Sequence, residues 1–193
     1  MRFLIPIAIV AAIGSLAFVD HRHQVDNEQH LSTIASEIAG RPVRIDCPSF
    51  FARLVAIDGE SGRVEFDSTG RPGDVAKLSG EACSSLMKFD ELLKANAFDC
   101  LTGPPDSCEH KVEKAVLSVH TLTHESFHLR GFPDEGVAEC YAMQYDAYTL
   151  QRLGMSAGLA QAVAVWYQTT QYPNLPREYH SSSCRPGAAP GLR

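Results

Sequence analysis

His124 and His128 stand four residues apart, with Glu125 directly after the first. On a helix that spacing projects both imidazoles from one face, one turn apart. Two neutral imidazoles so placed can grip one zinc ion, while Glu125 turns a carboxylate towards the water on that ion. A catalytic zinc needs a third protein ligand and an open position for water. Acidic candidates follow at once in Asp134-Glu135-Gly136-Val137-Ala138-Glu139. Glu135 and Glu139 share a helical face, and a short turn brings the start of their helix back beside His128. His120 also lies on the His124 face. From His120 to His128 is about 12 Å along the axis, too far for both to bind one ion. Only His124 and His128 bracket a glutamate, so His120 reads as a residue that packs behind the ligands.

The elements that must position these groups are legible in outline. From His110 to Arg130 there is neither Gly nor Pro, and Val112, Ala115, Val116, Val119, Leu122 and Phe127 supply an apolar helical face. Gly131 is placed to end that helix. A second helix is expected from about Asp134 to Leu153, and a third from Ser156 to Gln171 with Leu159, Val163, Val165 and Trp166 as core candidates. Upstream, Leu31, Ile34 and Ile38 recur at helical spacing before Gly40 and Pro42. Alternation in 43–45 and 63–67, with a β-rich stretch at 52–57 and a turn at Asp58-Gly59-Glu60-Ser61-Gly62, reads as a hairpin of a small antiparallel sheet. Met87 to Ala97 reads as helical. The expected fold is α+β: a β-rich part over 43–78, then a mainly helical part over 86–172. Residues 20–186 form one domain, and 187–193 a flexible tail.

The stretch Thr123-His124-Glu125-Ser126-Phe127-His128 resembles the His-Glu-x-x-His signature of the zincin metallopeptidases. The run from Glu135 to Glu139 looks like the Glu-x-x-Ala-acid pattern of their gluzincin branch. That resemblance implies a zincin-like helical half, one Zn²⁺ held by His124, His128 and Glu135, and Glu139 as the carboxylate that orients a ligand histidine. It also implies Glu125 as general base in the hydrolysis of a peptide or protein substrate, through a zinc-bound water of lowered pKa. The spacing departs from the gluzincin pattern, because only six residues separate His128 from Glu135. The short gap resembles the metzincin arrangement instead, which would make Asp134 the ligand after Gly131. Glu139 and Asp134 therefore stay open beside Glu135. Tyr179, His180 and Tyr141 are candidate donors to a developing oxyanion.

A formal net charge of −6 without a basic run argues against nucleic acid as a partner. Arg2 precedes an uncharged apolar run from Phe3 to Val19. The run is short for a membrane span, which needs about 20 apolar residues, and has the length of a signal-peptide core. A cleaved signal peptide and a retained N-terminal membrane anchor both fit, and either sends the rest of the chain out of the cytoplasm. The six cysteines are even in number, as pairing in an oxidising compartment requires. Cys100 and Cys108 flank a turn-rich loop and are the first pair expected, with Cys47–Cys83 and Cys140–Cys184 next. Two functional classes follow. One is an exported zinc peptidase or amidase. The other is a non-enzymatic exported module in which metal and disulfides only staple the helices.

Overall fold

The computed structural model describes residues 24–49, 52, 60–103, 107–182 and 184. The apolar N-terminal run, nearly all of the 52–57 stretch and the tail from 187 lie outside them. Among the described residues no helix is long and apolar enough to cross a membrane.

A first helix, α1, spans 24–39 and buries Leu31, Ile34 and Ile38. Gly40, at φ 71°, ends it. Three strands follow: β1 (Arg44–Asp46), β2 (Gly62–Phe66) and β3 (Pro72–Leu78). They lie in the order β1-β3-β2, with β1 parallel and β2 antiparallel to β3. The sheet is therefore mixed, not antiparallel as the alternation suggested. Among the described residues β2 and β3 form a hairpin, and β1 lies on the other edge of β3.

The expected hairpin of 52–57 with 63–67 lies largely outside the described residues, and the β2–β3 hairpin is a further one. Its turn is at Asp67, whose carboxylate accepts from the backbone N–H of Thr69 and of Arg71, with Gly70 at φ 77°. Pro72 and Gly73 hide β3 from a propensity reading. Pro72 is tolerated because it is the first residue of the strand.

The helical part begins earlier than 86. Ser79 caps α2 (Gly80–Met87) by accepting from Ala82 N, and a break at Lys88 separates α2 from α3 (Phe89–Lys94). A 3-10 segment, Ala97–Thr102, leads towards the long helix α4 (His110–Arg130). Helices α5 (Glu135–Arg152) and α6 (Ala157–Trp166) follow, and a π turn, Tyr167–Gln171, closes α6. In α6 the buried stripe is Ala160, Val163, Ala164 and Tyr167, so Val165 faces outwards at 45% exposure, against expectation.

Helix α4 is the spine. Its apolar face packs on β2, β3 and α2, and its other face on α5. Arg41 locks its end, donating to Leu129 O at 2.9 and 3.1 Å and to Gly73 O at 2.7 Å while pairing with Asp74. Gly131, at φ 110°, then turns the chain back into α5. The cysteines pair as Cys47–Cys83, Cys100–Cys108 and Cys140–Cys184. The first closes a long loop, which in the chain-entropy picture stabilises by about 3–4 kcal/mol. Mostly helical with a small mixed sheet, the architecture is of α+β type.

Candidate metal centre

The turn after α4 sets α5 antiparallel against it, and the two helices face each other across histidines and carboxylates. His124 Nε2, His128 Nε2 and Glu135 Oε2 converge. The two nitrogens are 2.9 Å apart, and the carboxylate oxygen lies 3.0 Å from His124 and 3.3 Å from His128. Both rings are held from behind. His128 Nδ1 meets Phe132 O at 2.6 Å, and a carbonyl can only accept, so Nδ1 carries the proton. His124 Nδ1 meets the Glu139 carboxylate at 3.1 Å, with the same consequence. In the neutral rings both Nε2 atoms are then bare lone pairs aimed at each other and at a carboxylate oxygen.

Three acceptors at such separations repel unless a proton or a cation sits among them. Burial disfavours charge on His124, but Glu135 and then Glu139 outweigh it and push its pKa up to about 9. The His128 pKa is lowered, first by burial and then by the charge of His124. A tetrahedral zinc with bonds of about 2.0–2.1 Å needs ligand atoms about 3.3 Å apart. The observed triangle lies just inside that size, so the donor set and its spacing fit the ion.

Glu125 shares a cleft of about 550 Å³ with these atoms. It is 5% exposed, and its Oε2 has no hydrogen-bond partner. Burial, opposed by His124 and assisted by Glu135 and Glu60, raises its pKa to about 7. Strand β2 crosses directly over it. A Cβ on Gly62 would stand 2.7 Å from Glu125 Cγ and Oε1, so any larger residue there displaces the Glu125 side chain.

Glu139 is 1% exposed and receives three hydrogen bonds. His120 Nε2 donates at 2.8 Å and His124 Nδ1 at 3.1 Å to Oε2, and the Tyr167 hydroxyl donates at 3.0 Å to Oε1. Burial alone would raise its pKa, but His120 and then His124 hold it well below the usual carboxylate range. The other His120 nitrogen meets Asp146 Oδ2 at 2.9 Å, and its ring stacks on Tyr167 at 3.8 Å. Burial opposes its charge, yet Asp146 and Glu139 push its pKa up to about 10. Asp146, fully buried, is itself raised above the ordinary range, by burial before all else.

The structure thus brings His124, His128, Glu135, Glu139 and Glu125 together. Asp134 takes another part: its carboxylate accepts from Val137 N at 2.9 Å as the N-cap of α5. Tyr179 reaches the cleft, its ring 5.8 Å from His124. His180 turns away and donates to Leu175 O at 3.1 Å, and Tyr141 is buried against Phe127 and Phe132. Asp146 and Tyr167 join this cluster from outside the motif. Asp146 does carry a signal, standing seven residues after Glu139 on the same helical face. No family model, curated protein or solved structure matches the chain.

Proposed function

We propose that the protein is an exported zinc-dependent peptidase or amidase of zincin type, with His124, His128 and Glu135 as the metal ligands and Glu125 as general base. One observation carries this reading: three acceptor atoms converge without a shared proton in the neutral rings, beside a buried carboxylate with a free oxygen. When bound, zinc would supply Lewis-acid activation of water and of a carbonyl.

Glu125, with a pKa near 7 and an Oε2 without a hydrogen-bond partner among the described residues, would take a proton from the attacking water and return it to the leaving amine. Tyr179 offers a hydroxyl to the carbonyl oxygen as charge develops. Glu139 fixes the His124 tautomer, and His120 with Tyr167 fixes Glu139. The three disulfides and the apolar N-terminal run support residence outside the cytoplasm, by secretion or by an N-terminal anchor.

The test pairs metal analysis with a casein and peptide-library digest. Wild type should hold one zinc and cleave, and Glu125→Gln should hold zinc and not cleave. A module with a purely structural metal would behave alike with and without Glu125, while His124→Ala unfolded it.

A further inference from the structure

After the π turn the chain makes two short 3-10 turns, Tyr172–Asn174 and Arg177–Tyr179. The second lies across the first turn of α5, the helix that carries Glu135 and Glu139. Two contacts fix it there. Cys184 is bonded to Cys140, the residue after Glu139. The backbone of residues 178–180 also runs over Gly136 so closely that a Cβ there would stand 3.1 Å from Glu178 O and from His180 C and O. Beside these anchors Tyr179 and Leu175 line the same cleft as Glu125 and Glu135.

Tyr172 packs on the apolar core and Tyr179 lies against His124, whereas the backbone hydrogen bonds of the segment are local. Hydrogen bonds from Leu175 N to Tyr172 O, Tyr179 N to Pro176 O and His180 N to Arg177 O close its turns, and His180 packs on Tyr172. Pro173, Asn174, Pro176, Arg177, Glu178 and His180 are exposed. A segment that buries so little apolar surface does not offset the entropy of being held. A covalent tie at its far end removes most of that cost by restricting the free chain.

We infer that the Cys140–Cys184 disulfide is a positioning device for the site: it holds residues 172–182 as a wall of the cleft and keeps Tyr179 over the metal ligands. The site is then complete only in the oxidised protein. The catalytic consequence rests on the function proposed above, whereas the tether itself does not.

The test is limited trypsin digestion of the full zinc-loaded chain, following cleavage after the exposed Arg177 by mass spectrometry. Cys140→Ala/Cys184→Ala should be cut there at least tenfold faster than wild type, with zinc affinity kept within about threefold. Cys100→Ala/Cys108→Ala, which lacks a different disulfide, should be cut at the wild-type rate. Should the first variant unfold, Gly136→Ala asks the same question with the disulfide intact, because its methyl group forces the segment back by a few tenths of an ångström and should speed the same cleavage.

On labelled casein, the Cys140→Ala/Cys184→Ala variant should fall to the activity of Tyr179→Phe. Adding Tyr179→Phe to it should then change nothing further. Equal protection of Arg177 with and without the disulfide would overturn the tether. An unaltered additional loss from Tyr179→Phe in the untethered protein would overturn its role in placing Tyr179. Absence of casein cleavage in wild type would overturn the hydrolase reading, and the trypsin comparison would still decide the tether.

Discussion

Helix α4 is buried on two sides, and the two are built on opposite rules. Towards β2, β3 and α2 it presents Val112, Ala115, Val116, Val119 and Leu122, all at 3% exposure or less, in a dry apolar core. Towards α5 it presents His120, His124 and His128, also nearly sealed from solvent, against Glu135, Glu139 and Asp146. The dry side contributes stability in proportion to the area removed from water. The polar side costs free energy for every buried charge and recovers it only where each charge finds a partner. His120 and Glu139 are fully partnered. His124, His128 and Glu135 bring three acceptor atoms within 3.3 Å of one another, and among the described residues Glu125 Oε2 has no hydrogen-bond partner. One helix thus separates the labour: one face holds the fold, and the other holds an arrangement that a metal would relieve.

That contrast can be broken by experiment. The largest effect is expected on the polar side: Glu125→Gln should lower hydrolysis by about 10²–10⁴-fold, the usual worth of a general base, with zinc retained. Steady-state rates beside metal content decide it, and near-wild-type turnover would remove Glu125 from the chemistry.

On the dry side, Phe98, fully buried and packed on Phe89, should cost about 3–5 kcal/mol of folding stability when replaced by alanine. Denaturant titration would show that loss, while zinc affinity should not move. A parallel fall in affinity would mean that the two sides are not separate.

Glu139→Gln should weaken zinc binding by about 10–100-fold, read by competition with a chelating dye. Unchanged affinity would make the Glu139 contacts merely structural.

The pH response should also divide the two states of the site. In the metal-free protein Glu125 titrates near 7 against 4.5 when unfolded, so the folded form binds the extra proton and stability falls as pH rises between those values. His124 and His120, raised to about 9 and about 10 from 6.5, contribute stability that is fully present below 6.5 and lost as pH rises through their folded values. Thermal unfolding in chelator should therefore show a falling midpoint from pH 5 to 9. Zinc affinity should climb over the same interval, because the ion displaces the proton from His124. A midpoint that rises across this interval would contradict the assignments.

The smallest effect separates neighbours. Asp134→Ala should cost roughly 0.5–2 kcal/mol, the worth of an N-cap, and leave zinc affinity alone. A large loss of affinity would return Asp134 to the ligand set.

Much of this division was legible in the sequence because it is local. Helical spacing puts His124 and His128 on one face, and Gly131 ends α4 where its backbone needs a positive φ. What stayed hidden depends on partners distant in the chain. The parallel pairing of β1 is decided by a crossover that no local pattern encodes. Pro72 and Gly73 suppress the signal of β3, and Val165 looks apolar enough for the core while its register sends it outwards. Asp146 and Tyr167 join the site through His120, a role that only the packed helices reveal.

X-ray absorption at the zinc edge of the metal-loaded protein tests the central claim most directly. The account predicts one zinc per chain in a shell of nitrogen and oxygen at about 2.0–2.1 Å, with the outer-shell pattern of two imidazoles, lost in His124→Ala/His128→Ala. A sulfur shell near 2.3 Å, or an unchanged spectrum in that double variant, would contradict it.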